Sequence, residues 1–196
     1  INVDNPRRSL ALFASRYFGR QPRIAAAVTG TNGKTSVAWF THNIWKRLDY
    51  QSAAIGTLGV TTDFTDSFNG LGLTTADPIT LHHQLKSIAD DGVDHVILEA
   101  SSHGLEQSRL DGVNLKAAAF TNLSRDHLDY HRTMDQYRAA KLNLFNRLLP
   151  KNATAVLNSD SSDYSVFSSI SKARGLKVIC YGQNADEIRI EKIKAS

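Results

Sequence analysis

The chain has 196 residues, 41% of them hydrophobic and 21% charged, with a formal net charge of +4. That length and composition fit one globular domain with a real core and exclude a disordered or repetitive chain. No apolar run approaches the ~20 residues that cross a bilayer, and Ile1-Asn2-Val3-Asp4 lacks the layout of a secretory leader, so a cytoplasmic protein with no membrane insertion is predicted.

The basic residues are scattered rather than massed, which suits small anionic ligands such as nucleotides and argues against a nucleic acid partner. A first helix is predicted over residues 6–18, with Asp4 and Asn5 as caps, Pro6 near the first turn, and Leu10, Phe13, Ala14 and Tyr17 at helical spacing. Gly19-Arg20-Gln21-Pro22 breaks it. Strands and helices then alternate: strand 23–28, helix 34–48, strand 52–56, helix 78–91, strand 94–99, strand 115–120, helix 133–149, strand 153–157, helix 161–173 and strand 177–181. Several strands are apolar throughout, as strands covered on both faces are, so the fold class is α/β: a mostly parallel sheet flanked by helices. The single Cys180 falls in the strand-like run Lys177-Val178-Ile179-Cys180-Tyr181 and reads as a buried, inert thiol.

The first strand leads into Val28-Thr29-Gly30-Thr31-Asn32-Gly33-Lys34-Thr35-Ser36. Such a loop holds a nucleoside triphosphate. Glycines let backbone N–H groups curl round phosphate, a helix N-terminus adds positive potential, Lys34 reaches the terminal phosphates and the Thr35 hydroxyl can ligate Mg²⁺. The general phosphate-loop pattern wants glycine at position 28, where this chain has Val28, so the sequence is a subtype of that motif.

Ligands of parallel sheets lie outside the carboxyl ends of the strands, and three strand ends carry chemistry. Strand 23–28 delivers the phosphate loop; strand 94–99 delivers Glu99; strand 115–120 delivers Thr121-Asn122 and then Asp126-His127. Glu99 follows three branched apolar residues and precedes the small, polar Ser101-Ser102-His103-Gly104, the setting of a metal-binding carboxylate. His127 and His131 stand four apart, where one helix face would hold both. No glutamate adjoins the first histidine, so a magnesium-associated or structural role for His127 is read in place of zinc hydrolysis, with His131 at the surface. Over residues 133–149 the inward positions run Met134, Tyr137, Lys141, Leu144 and Leu148, and Lys141 interrupts an apolar seam. Its stem could pack while its ammonium reaches solvent, or a neutral amine could take up CO₂ and become an anionic carbamate ligand.

Five segments in order, Thr-Gly-Thr-Asn-Gly-Lys-Thr (29–35), Leu-Thr-Thr-Ala-Asp-Pro (73–78), Glu-Ala-Ser-Ser-His-Gly-Leu (99–105), Phe-Thr-Asn-Leu-Ser-Arg-Asp-His-Leu-Asp-Tyr-His (120–131) and Tyr-Arg-Ala-Ala-Lys (137–141), resemble the Mur ligases. The third segment resembles the branch that adds the third residue of the peptidoglycan stem peptide. The resemblance implies a phosphate site of Gly30, Thr31, Asn32, Gly33, Lys34, Thr35 and Ser36, with Asn122 near the nucleotide. It implies metals held or ordered by Thr35, Glu99, His127 and a carbamylated Lys141, and contacts to a UDP-N-acetylmuramoyl-dipeptide substrate from Thr74, Thr75, Ser101, Gln107 and Arg109. The implied cofactors are ATP and Mg²⁺. The implied reaction is attack of the substrate's terminal carboxylate on the γ-phosphate of ATP, giving an acyl phosphate that an amino acid's amine then converts to an amide.

By the same resemblance, residues 1–20 are the tail of a preceding uridine-nucleotide domain with a linker helix, and 21–196 are a central ATP-binding domain. That domain is expected to be incomplete at its C-terminal end, to lack the amino-acid-binding domain, to be a monomer and to have no ligase turnover alone. The competing readings are an isolated nucleotide-binding module and a phosphate-loop kinase; the set of Glu99, His127 and Lys141 argues against the kinase, which has no need of a carbamylated lysine.

Overall fold

In a computed structural model, residues 3–62, 66–67 and 72–191 are described; the end of the predicted central domain, 192–196, lies outside the described residues. Helix α1 spans Pro6–Phe18, with Pro6 in its first turn and the Asn5 side chain accepting from the Arg8 amide at 3.0 Å. Strand β1 (Ile24–Thr29) follows, then α2 (Lys34–Arg47) and β2 (Ser52–Gly56). An antiparallel hairpin absent from the sequence reading comes next, β3 (Gly59–Thr62) and β4 (Asp66–Ser67).

Helix α3 (Pro78–Asp90) starts on Asp77, whose carboxylate accepts from the amides of Ile79 and Thr80. Then come β5 (His95–Glu99), the short α4 (Ser102–Glu106), β6 (Leu115–Phe120), a single turn α5 (Leu128–His131) and α6 (Met134–Asn143), which passes into a π-helical turn, Leu144–Leu148. β7 (Thr154–Asn158), α7 (Tyr164–Ala173), β8 (Lys177–Gly182) and β9 (Ile188–Arg189) complete the described chain.

The sheet order is β4-β3-β2-β5-β1-β6-β7-β8-β9, and every pairing from β2 through β9 is parallel. β1 lies between β5 and β6, so the chain departs in opposite directions on its two sides and leaves a crevice at the strands' carboxyl ends. Both faces of β1 are covered. Ala25 and Ala27 join Leu85, Leu105, Phe120 and Phe145 in the larger core, while Val28 packs with Ala38 of α2, Ala54 and Ile97 on the other face. Phe120 stacks on Phe167 at 3.8 Å between ring centroids, which fixes α7 to the sheet.

Three expectations change. Helix α1 buries Ala11 and Ala14 but leaves Leu10, Phe13 and Tyr17 exposed, because it lies against α3 on its small residues. The helix predicted over 133–149 changes winding after Asn143: the Leu149 amide bonds to the Leu144 carbonyl five residues back, so Leu149 is buried and Leu148 only half-buried. Met134, placed inward by the apolar spacing, is also half-buried at the first helical position. Cys180 is buried as predicted, and its thiol donates to Glu187.

Candidate functional site: a phosphate loop and its carboxylate

The loop after β1 turns on Gly30 (φ 152°) and Gly33 (φ 84°), backbone that side chains rarely adopt. A Cβ at Gly30 would also lie 1.9 Å from the Thr121 hydroxyl oxygen, so the close approach of β6's end to the loop requires glycine there. Gly33 begins α2 without a side-chain cap, which leaves the first-turn amides of a 14-residue helix for an anion. Asn122 and Thr121 brace the loop from the side. The Asn122 side-chain oxygen accepts from the Asn32 backbone amide at 3.0 Å, its side-chain nitrogen donates to the Asn32 backbone carbonyl, and the Thr121 hydroxyl donates to the same carbonyl at 2.7 Å. Asn122 thus stands beside the loop.

Lys34, at the first position of α2, donates to the carbonyls of Gly30 (3.0 Å) and Thr31 (2.9 Å). Burial pushes its ammonium below the ordinary lysine range, and the charges of Glu99 and Asp126 oppose that shift. Thr35 donates to Glu99 Oε2 at 2.9 Å, which brings the hydroxyl and the carboxylate of the predicted metal set together. Glu99 is buried at the end of β5. Its Oε1 accepts from the Thr57 amide at 2.9 Å and its Oε2 from the Thr57 hydroxyl at 3.3 Å. Gly56 leaves room for the carboxylate, since a Cβ there would lie 2.1 Å from Oε1. Two hard oxygen donors at an uncapped helix N-terminus fit a Mg²⁺ bound with phosphate. Ser36 is exposed in the first turn of α2.

Lys141 is fully buried, which removes the solvent-reaching alternative. Its Nζ donates to the Gly30 carbonyl at 2.8 Å and lies 4.4 Å from the centre of the Tyr137 ring. Burial, and then the neighbouring charge of Lys34, lower its pKa to about 7, with Asp126 pulling the other way. His127 stands apart from Glu99 in its contacts. It is half-exposed in a left-handed conformation (φ 50°), 3.5 Å from Asp126, with its ring edge-on to His103 at 5.1 Å. Among the described residues, no group of three or more His, Cys, Asp or Glu side chains is close enough to hold a metal.

The histidine pair does not share a helix face, because α5 begins only after His127. His131 is buried, not at the surface. The Tyr130, Tyr137 and His103 rings surround it, and burial lowers its pKa.

The residues implied for the larger substrate form one continuous set. Thr74 accepts from the Thr57 hydroxyl at 3.0 Å. Thr75 donates to the Glu99 carbonyl and accepts from the Ser101 amide, while Ser101 caps α4 through the Gly104 amide. Arg109 donates to the Thr75 carbonyl at 2.6 Å and, through Nε and Nη2, to the side-chain oxygen of Gln107.

Sequence reasoning missed Thr57 and the polar role of Tyr137. The end of β2, beside β5, was left unread, although by register Gly56-Thr57 lies level with Val28-Thr29 of β1. Tyr137 stood out only as an inward apolar position, yet its hydroxyl is 3.2 Å from that of Thr31.

The family model of the Mur ligase middle domain matches residues 28–196. The chain is 53% identical over 186 residues to a UDP-N-acetylmuramoyl-L-alanyl-D-glutamate–2,6-diaminopimelate ligase of Bradyrhizobium diazoefficiens, covering 95% of this chain and 38% of that protein. It is 49% identical over 194 residues to the protein of that name in Mesorhizobium japonicum, covering 99% and 40%. A solved structure of a ligase of the same name superposes with a TM-score of 0.83 at 32% identity, over 95% of this chain and 38% of the other. FolC of E. coli, solved with DHPP and ADP, shares the fold with a TM-score of 0.69 at 17% identity, over 92% of this chain and 47% of the other. The chain thus spans about two fifths of the length of its ligase relatives. With the phosphate loop, its carboxylate and the buried lysine all inside the matched segment, the chain belongs to the Mur ligase family, and residues 28–196 are its middle domain.

Proposed function

We propose that this chain is the nucleotide-binding core of an ATP-dependent ligase that adds the third amino acid to UDP-N-acetylmuramoyl-L-alanyl-D-glutamate in peptidoglycan precursor synthesis. The observation that carries the reading is the junction of Lys34, Thr35, Glu99 and Lys141 around one glycine loop. The names of the relatives point to 2,6-diaminopimelate as the amino acid. ATP and uridine-nucleotide precursors are cytoplasmic solutes, which puts the activity in that compartment.

In this reading the loop amides and Lys34 bind the triphosphate, and Thr35 and Glu99, with His127, would hold or order Mg²⁺. Mg²⁺ with ATP bound supplies charge neutralisation of the transferring phosphoryl group. Asn122 and Thr121 keep the loop in its phosphate-binding shape. Thr74, Thr75, Ser101, Gln107 and Arg109 orient the second substrate, and the Arg109 guanidinium matches a carboxylate or phosphate with its remaining donors.

Lys141, its pKa lowered to about 7 by burial, is in part the neutral, nucleophilic amine that addition to CO₂ needs near neutral pH. The ammonium first gives up one proton, the amine's N–C bond to CO₂ then forms as a C=O electron pair moves onto oxygen, a second proton leaves to water, and a carbamate anion replaces a cation beside Lys34. That change of sign relieves the repulsion between the two lysines, and a kinase reaction would have no use for it.

Titration calorimetry of ATP–Mg²⁺ into the protein and its Lys34→Ala variant tests the phosphate site. Heat in the parent that disappears in the variant is the expected result; equal heat in both would remove Lys34 from the site. In the full-length ligase, activity is further expected to fall in bicarbonate-free buffer and to return when bicarbonate is restored.

A further inference from the structure

Beyond the residues that the site accounts for, one hydroxyl is placed where it controls others. Tyr130, in the turn α5, accepts a hydrogen bond from Gln107 Nε2 at 3.0 Å. The opposite end of that amide, Oε1, accepts from Arg109 Nε at 3.2 Å and Nη2 at 2.7 Å, and Arg109 Nη1 reaches the Thr75 carbonyl. An amide has one donor end and one acceptor end, so a bond that holds the NH₂ group on Tyr130 turns the oxygen towards the guanidinium. Without the phenol oxygen the NH₂ end loses its anchor: the two bonds from Arg109 still orient the amide against the guanidinium, but nothing then fixes that pair against the aromatic turn. The ring of Tyr130 is itself fixed, 4.0 Å from His103 and 4.8 Å from the buried His131. The relay therefore runs from a packed aromatic turn, through one amide, to the arginine.

We propose that Tyr130 is a positioning residue for the uridine-nucleotide dipeptide substrate: its hydroxyl sets the Gln107 amide and, through it, the Arg109 guanidinium in the orientation that receives the ligand. The proposal rests on the reading of Gln107 and Arg109 as substrate contacts. Tyr130 has no described contact with the phosphate loop, so its effect belongs to that substrate alone and not to ATP.

Steady-state kinetics of the full-length ligase, with UDP-N-acetylmuramoyl-dipeptide varied at saturating ATP and amino acid, test it in four proteins: Tyr130→Phe, Gln107→Ala, the double variant and Arg109→Ala. The loss of one net hydrogen bond predicts that Tyr130→Phe raises KM for the dipeptide substrate about five-fold, while kcat and KM for ATP move less than about two-fold. In the Gln107→Ala background the same substitution should add nothing, since its route to Arg109 is already cut. An unchanged KM in Tyr130→Phe, or an equal fold increase in both backgrounds, overturns the proposal. Arg109→Ala separates the two levels. If it raises KM while Tyr130→Phe does not, the proposal alone falls. If it leaves KM unchanged, the substrate reading falls and the proposal falls with it.

Discussion

Lys141 shows how a single residue's chemistry depends on what surrounds it. The sequence marks it as a charge inside an apolar seam; the structure adds the Gly30 carbonyl, the Tyr137 ring and the Lys34 charge around it. A lysine whose folded pKa is about 7, against an ordinary value of 10.5, binds fewer protons in the folded than in the unfolded protein between those two limits. Stability therefore rises with pH across that window; as pH falls the gain is lost between 10.5 and about 7, and below that the group adds no further slope. Lys34 shifts in the same direction and adds to the slope. The gain is on the order of 3–5 kcal/mol for Lys141, and Lys141→Met, which keeps the stem and discards the amine, should flatten most of it. Urea unfolding of both proteins at intervals from pH 7 to pH 10 in CO₂-free buffer measures the two slopes. Parallel slopes would mean that the lysine is not held in this environment.

At the scale of elements, α1 and α6 mark where periodicity informs and where it misleads. The span of α1 was legible to the residue from Asn5, Pro6 and Gly19, since capping chemistry is local. Its buried face was not. A stripe of large apolar residues is the usual sign of the inward side, yet close approach to α3 selects Ala11 and Ala14, and Tyr17 remains 85% exposed. Ala11→Leu should therefore overpack that contact and cost about 1–3 kcal/mol, whereas Tyr17→Ala should change stability by less than about 0.5 kcal/mol. Denaturant midpoints of the two variants give the comparison, and the reverse ranking would put the large residues back at the interface. In α6, nothing in Leu144-Phe145-Asn146-Arg147-Leu148 signals wider winding. Burying Phe145 and Leu149 against the sheet decides it, and tertiary packing of that kind leaves no periodic trace in the chain.

Across the whole molecule, the parallel sheet separates what binds from what holds the fold together. β6 carries Thr121 and Asn122 beyond its carboxyl end, beside the phosphate loop, while Asp111 precedes its other end, about 20 Å away along the strand. The strand ends were readable because the ligand rule for parallel sheets needs only strand order and direction. Asp111 was not, because its partners come from remote segments: Arg8 of α1 at 3.1 Å, Arg147 of the π-helical turn, and His82 of α3, which bonds to the Asp111 carbonyl. The carboxylate is buried, 4% exposed, but Arg8 is 54% exposed and Arg147 30% exposed, so both guanidinia keep water when it is removed. That discounts the loss from the value for a fully buried pair to about 2 kcal/mol for Asp111→Ala, a fall in Tm of roughly 5 °C. The same substitution should leave the affinity for ATP–Mg²⁺ within about two-fold of the parent, because among the described residues no bond of Asp111 reaches the loop side of the sheet. Thermal melts and calorimetry on one sample decide the matter: an affinity that falls while Tm stays would join the two ends of β6, and a Tm that falls alone would keep them separate.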